Sequence, residues 1–136
     1  MRFAFAALLL ALISMPVSAS DLRVPATILR LKDGDTFVVR AQIWPQHFIE
    51  TTIRLRGLDT PEKHGKCEAE RRRALEAEAF LDRLPKEVIL TDIDHDKYGG
   101  RYDSTVLLPD GRDLAGLIIS AGYGRAYQGG KRRGWC

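Results

Sequence analysis

Residues 53–62 read Ile-Arg-Leu-Arg-Gly-Leu-Asp-Thr-Pro-Glu, and three side chains in that stretch could do chemistry together. Asp59 and Glu62 flank a turn stiffened by Pro61, and the guanidinium of Arg54 lies five residues before Asp59. One carboxylate can hold a hard cation and a second can accept a proton. A guanidinium nearby can hold an anion. Together these are the parts of a metal-assisted phosphodiester hydrolysis. The plain alternative is a strand leaving a sheet through an ordinary Asp-Thr-Pro turn with solvated charges. The elements that carry these residues, and the acids and arginines elsewhere, decide between the two.

Hydrophobic periodicity predicts strands over 26–31, 36–40, 49–58, 88–93 and 105–108. Asp33-Gly34 is a hairpin signal between the first two. Trp44-Pro45-Gln46-His47 reads as a loop, because Pro45 cannot donate to a sheet ladder. In the third strand Ile53, Leu55 and Gly57 share one face, and Arg54, Arg56 and Leu58 share the other. Arg54 is therefore expected to point away from the apolar side.

Between residues 66 and 84 the period becomes helical, with Ala74, Ala77, Phe80, Leu81 and Leu84 on one stripe and Pro85 as the stop. A second helix is expected after an Asp113 N-cap, with Leu114, Leu117, Ile118 and Ala121 on one stripe and Gly122 ending it. Residues 129–136 show no periodicity and read as a tethered tail. Three strands, a helix, two strands and a helix suit an α+β, mainly β fold, a five-stranded Greek-key barrel of the OB type with two helices.

The chain of 136 residues is enough for one domain. Its first nineteen read as a signal peptide. Arg2 gives the positive start, an apolar run follows from Phe3 to Ile13, and Val17-Ser18-Ala19 is a cleavage-site pattern. Cleavage near Ala19 and export to the periplasm or the medium are the expectation, with residues 20–136 as the mature domain. The apolar run is too short to span a bilayer, so no membrane anchor is expected. Losing Arg2 takes the formal net charge from +3 to +2, too mild to argue for a nucleic-acid partner by itself. The clusters Arg71-Arg72-Arg73 and Lys131-Arg132-Arg133 read as solvated helix and tail faces. The two cysteines, Cys67 and Cys136, predict one disulfide in an exported chain, the alternative being two free thiols.

Three motifs in order carry a resemblance: Asp33-Gly34-Asp35-Thr36, then Arg54 through Asp59-Thr60-Pro61-Glu62, then Asp96-Lys97-Tyr98-Gly99-Gly100-Arg101. The chain resembles the staphylococcal nuclease (thermonuclease) family over about residues 24–128. That resemblance implies a Ca²⁺-dependent nuclease acting on DNA and RNA. It implies Asp35 and Asp59 as metal carboxylates, with Thr60 offering its backbone carbonyl. Glu62 matches the general base, and Arg54 and Arg101 match the arginines that hold the reacting phosphate. Lys97 and Tyr98 match positions near a terminal phosphate, and Tyr127 falls near base-stacking tyrosines. The chain departs in having two glycines, Gly99 and Gly100, where the family pattern has one. No protein partner is expected, and a monomer is the default. The competing expectation is a catalytically silent OB module that binds nucleic acid or a protein.

Two further signals are rejected. Asp92, Asp94 and Asp96 begin like a calcium loop, but Lys97 stands where that loop needs Gly. His47, His64 and His95 lack zinc-site spacing.

Overall fold

The computed structural model describes residues 22–136, so the signal-peptide reading of residues 1–19 lies outside the described residues. Five long strands close into a barrel in the order β1-β2-β3-β6-β5, with β5 (Glu87–His95) returning to pair with β1 (Val24–Asp33). β2 (Thr36–Trp44) pairs antiparallel with β1 and with β3 (His47–Leu55). β6 (Arg101–Leu107) runs antiparallel to β5 and parallel to β3. The helix α1 (Glu68–Asp82) connects the β3 region to β5, and α2 (Leu114–Ser120) follows β6. This is the OB-type barrel with two helices that the element order predicts.

The alternating apolar residues of the strands fill the barrel. Phe37, Val39 and Ala41 of β2, Ile53 and Leu55 of β3, Leu90 of β5 and Val106 of β6 are all buried. Leu114 and Ile118 of α2 and Leu81 of α1 extend the same cluster, while Phe80 packs at its edge against Tyr123. Both helix starts are capped from the sequence. Asp113 accepts from the Ala115 N–H at 3.3 Å, and the Cys67 sulfur accepts from the Glu70 N–H at 3.4 Å.

Three boundaries differ from the sequence expectation. Trp44-Pro45-Gln46-His47 is the tip of the β2–β3 hairpin, with Gln46 at φ 61, and not a longer loop. β6 starts at Arg101, four residues before the predicted strand, so Arg101 stands on the barrel wall. The predicted strand 49–58 ends at Leu55. Gly57 turns the backbone at φ 78, and Leu58–Asp59 form a short β4 paired with β7 (Arg125–Ala126). The turn inverts the strand alternation, so Leu58 is fully buried and not on the face of Arg54 and Arg56.

Candidate active site

The predicted residues fall into two adjoining groups at the end of the barrel where β3 stops and β6 starts. The first group is acidic. Asp35 closes the β1–β2 turn and is 7% exposed, and its backbone carbonyl accepts from the Leu55 N–H at 2.7 Å. Its carboxylate accepts from the Thr36 hydroxyl at 2.9 Å and from the Thr60 N–H at 3.2 Å. The two motifs are thereby locked together across 25 residues of sequence. Gly34 permits the approach, since a Cβ there would lie 3.0 Å from the Thr60 side chain. Thr60 is fully buried, and its hydroxyl oxygen has no hydrogen-bond partner. Asp33 accepts from the Lys63 N–H at 2.9 Å. Burial raises its carboxyl above the ordinary range; the Lys63 N–H opposes this, and the charges of Asp35 and Glu62 add to the rise.

Asp59, on β4, has no exposed surface, yet its carboxylate is fully partnered. One oxygen accepts from Nε of Arg132 at 2.7 Å and pairs with Nη2 of the same residue. The other accepts from Nη2 of Arg125 and Nε1 of Trp135, each at 3.2 Å. Arg132 also donates through Nη1 to Glu62 at 2.7 Å, so one guanidinium spans both acids. Burial works against the charge on Arg132, but the bonds to Glu62 and Asp59 outweigh it and hold the guanidinium above its ordinary value.

Glu62 has a half-exposed side chain and a fixed backbone. Its N–H donates to Glu70 at 3.3 Å, and the other Glu70 oxygen accepts from the Lys66 N–H at 3.0 Å. Glu70 is buried at the start of α1, beside the disulfide that joins Cys67 to Cys136.

The second group is cationic. A cavity of about 460 Å³ is lined by Arg54, Lys97, Tyr98, Arg101, Tyr127 and Arg132. Arg54 faces the Tyr127 ring at 5.7 Å and donates to the Leu58 carbonyl at 3.4 Å. Arg101 pairs with Asp96 at 3.0 Å and lies 5.2 Å from the Tyr98 ring. Lys97 lies 4.9 Å from that ring, and Tyr98 is widely exposed. The extra glycine does not carry Arg101 away. Gly99 and Gly100 both take positive φ in the turn before β6, and Arg101 reaches the cavity that Arg54 lines. Burial acts to raise the Asp96 carboxyl, but the Tyr98 N–H and the Arg101 guanidinium together hold it below the ordinary range. Asp103 beside it is raised, by burial first and then by the hydrogen bond and charge of Asp96.

The donor chemistry of the acidic group fits a hard cation. Asp33, Asp35, Asp59 and Glu62 offer only oxygens, and the charges of Asp35 and Glu62 bear on Asp33. Ligand oxygens of Asp35, Asp59 and Glu62 do not gather within 4.8 Å of one another. Among the described residues the only such three-residue group is Cys67, Glu70 and Cys136, whose sulfurs are bonded to each other.

Sequence reasoning missed Arg125, Arg132, Trp135 and Glu70, and gave Asp96, which opens the third motif, no role. The reading of Lys131-Arg132-Arg133 as a solvated face is corrected for Arg132, which the disulfide draws onto the acids. The signal was present in the spacing, since Arg132 lies four residues from Cys136 and Glu62 five from Cys67.

The family model described as staphylococcal nuclease homologue matches residues 52–134. That span contains Arg54, Asp59, Glu62 and Arg101 but begins after Asp35, whose place rests on its bond to Thr60. No curated protein matches the chain.

Proposed function

The chain belongs to the staphylococcal nuclease homologue family, and on that premise we propose that it is a Ca²⁺-dependent nuclease hydrolysing phosphodiester bonds of DNA and RNA. The observation that carries this reading is the convergence of Arg54 and Arg101, from parallel neighbouring strands, on one aromatic-walled cavity beside the buried acids. Planar guanidiniums offer paired donors matched to phosphate oxygens and keep their charge at any working pH. They bind the scissile phosphate and neutralise the charge that builds on it as the attacking oxygen adds. Glu62 has the exposure to reach a water and takes its proton as general base. Tyr98 and Tyr127 offer ring faces to bases, and Lys97 offers a point charge to a neighbouring phosphate, an arrangement suited to single strands and indifferent to sequence.

Asp35, Asp59 and the Thr60 carbonyl would hold the calcium ion. When bound it supplies positive charge to the phosphate and favours ionisation of the attacking water. The chain is exported, with residues 1–19 removed, and acts in the periplasm or the medium; N-terminal sequencing of the secreted protein checks this.

One observation favours a second reading, the silent nucleic-acid-binding module: Arg132 covers both Asp59 and Glu62 while leaving the cationic cavity open. Incubation of the mature protein with plasmid and with RNA, in calcium or in chelator, separates the two. Chelator-sensitive digestion is expected. Binding without digestion under every condition would establish the module and end the nuclease reading.

A further inference from the structure

We propose that residues 129–136 form a strap whose Arg132 is a resident counter-cation of Asp59 and Glu62, so that a divalent cation binds at Asp59 only as Arg132 leaves. This rests on the nuclease reading and adds a gate to its cation site. An ionised carboxylate has about four lone-pair positions. Asp59 accepts three hydrogen bonds, from Arg132, Trp135 and Arg125, and Nη2 of Arg132 is ion-paired with the oxygen that its Nε already holds. Both oxygens of Asp59 are thus held, and a cation that takes them must displace these donors. Two of the three hydrogen bonds, and the ion pair, come from the strap.

The strap is fastened at both ends. At one end the Tyr127 hydroxyl donates to the Gly130 carbonyl at 2.6 Å, and at the other Cys136 is bonded to Cys67. Between them Arg125 lies 3.9 Å from the Trp135 ring and donates to the carbonyls of Arg133 and Gly134. A side chain tethered in this way competes for the acids at a high effective concentration, without having to be captured from solution. Arg132 also lines the cavity with Arg54 and Arg101. A guanidinium leaving the acids thus has an anionic destination within reach, the phosphate of a bound nucleic acid.

The test is calcium binding by isothermal titration calorimetry to the wild type, Arg132→Gln, Cys136→Ser and, as a control on an exposed neighbour, Lys131→Gln. Circular dichroism and thermal melting identify variants that remain folded. Folded Arg132→Gln is expected to bind calcium about tenfold more tightly than the wild type, because the fraction of molecules with free acids rises. Lys131→Gln should match the wild type. A second readout uses Trp44→Phe protein, in which Trp135 is the remaining tryptophan. Its emission should change on calcium titration as its bond to Asp59 breaks. Equal calcium affinity in wild type and Arg132→Gln, or Trp135 emission unmoved at saturation, overturns the gate while leaving digestion intact. Calcium binding by neither protein, with no digestion by either, overturns both the gate and the nuclease reading.

Discussion

Glu62 is held by its backbone and leaves its carboxylate half in solvent, as suits a group that must exchange protons with water. Glu62→Gln keeps the N–H bond to Glu70 and nearly the same volume. We expect an unchanged melting temperature and a fall in cleavage rate of about 10²–10⁴-fold, read from initial rates on a plasmid substrate. A comparable loss of calcium affinity would instead make Glu62 chiefly a ligand. Asp96 gives a second residue-scale test. Its folded carboxyl is held below the ordinary aspartate value, so the stability it contributes is present above that value and is lost as pH falls through the lower folded one. Asp103, raised by burial, works with the opposite sign: its contribution is present below the unfolded value and is lost as pH rises through the folded one. Urea unfolding of Asp96→Asn between about pH 3 and about pH 7 should show a shallower acid-side loss of stability than the wild type. An identical slope would show that the pair with Arg101 contributes nothing to it. Asp35, Arg54, Asp59, Glu62 and Arg101 were legible as candidates because each sits in a short motif. Arg132 was not, because a partner brought by the fold gives it its place, and Asp96 stood in the third motif without showing that it pairs with Arg101.

At the scale of elements, β4 is the piece on which the acids depend. It is two residues long, and its pairing with β7 sets where Asp59 stands. Gly124, just before β7, makes that pairing possible. A Cβ there would lie 2.7 Å from Leu58 Cδ1 and 3.1 Å from the backbone oxygen of Asp59, which cannot yield as a flexible side chain can. Gly124→Ala is therefore expected to destabilise the protein by about 1–3 kcal/mol. Calcium affinity should change with it; chemical denaturation and calorimetry measure the two effects. Alanine tolerated with neither change would mean that β7 simply shifts outward. No periodicity in a two-residue strand could have announced β4 or β7. The sequence pattern instead extended β3 through Leu58, since Gly57 looks like any small residue in a strand until its positive φ is known. The long strands and both helices were legible, because apolar alternation and a helical stripe repeat over enough residues to be counted.

Over the whole molecule, the barrel and the strap are held by different kinds of bond. The disulfide closes a loop with a sequence separation of 69, which in the chain-entropy model adds about 4 kcal/mol of stability. Cys67→Ser with Cys136→Ser should lose about that much in urea unfolding, and retention of full stability would mean that Glu70 and the strap contacts suffice. The parity of the cysteines made this bond readable, while the surface it covers was not. The parallel register of β3 with β6, which sets Arg54 opposite Asp103 and Thr52 opposite Arg101, is made of backbone hydrogen bonds within a closed barrel. Residues 129–136, by contrast, make no backbone-to-backbone hydrogen bond among the described residues and rest on side chains and one covalent link. In deuterated water the amides around the two arginines should thus keep their protons until the barrel opens as a unit, while those of the strap exchange early. The covalent bond limits how far the strap can travel without keeping its amides from solvent, so its protons would report its lifting while the barrel stays closed.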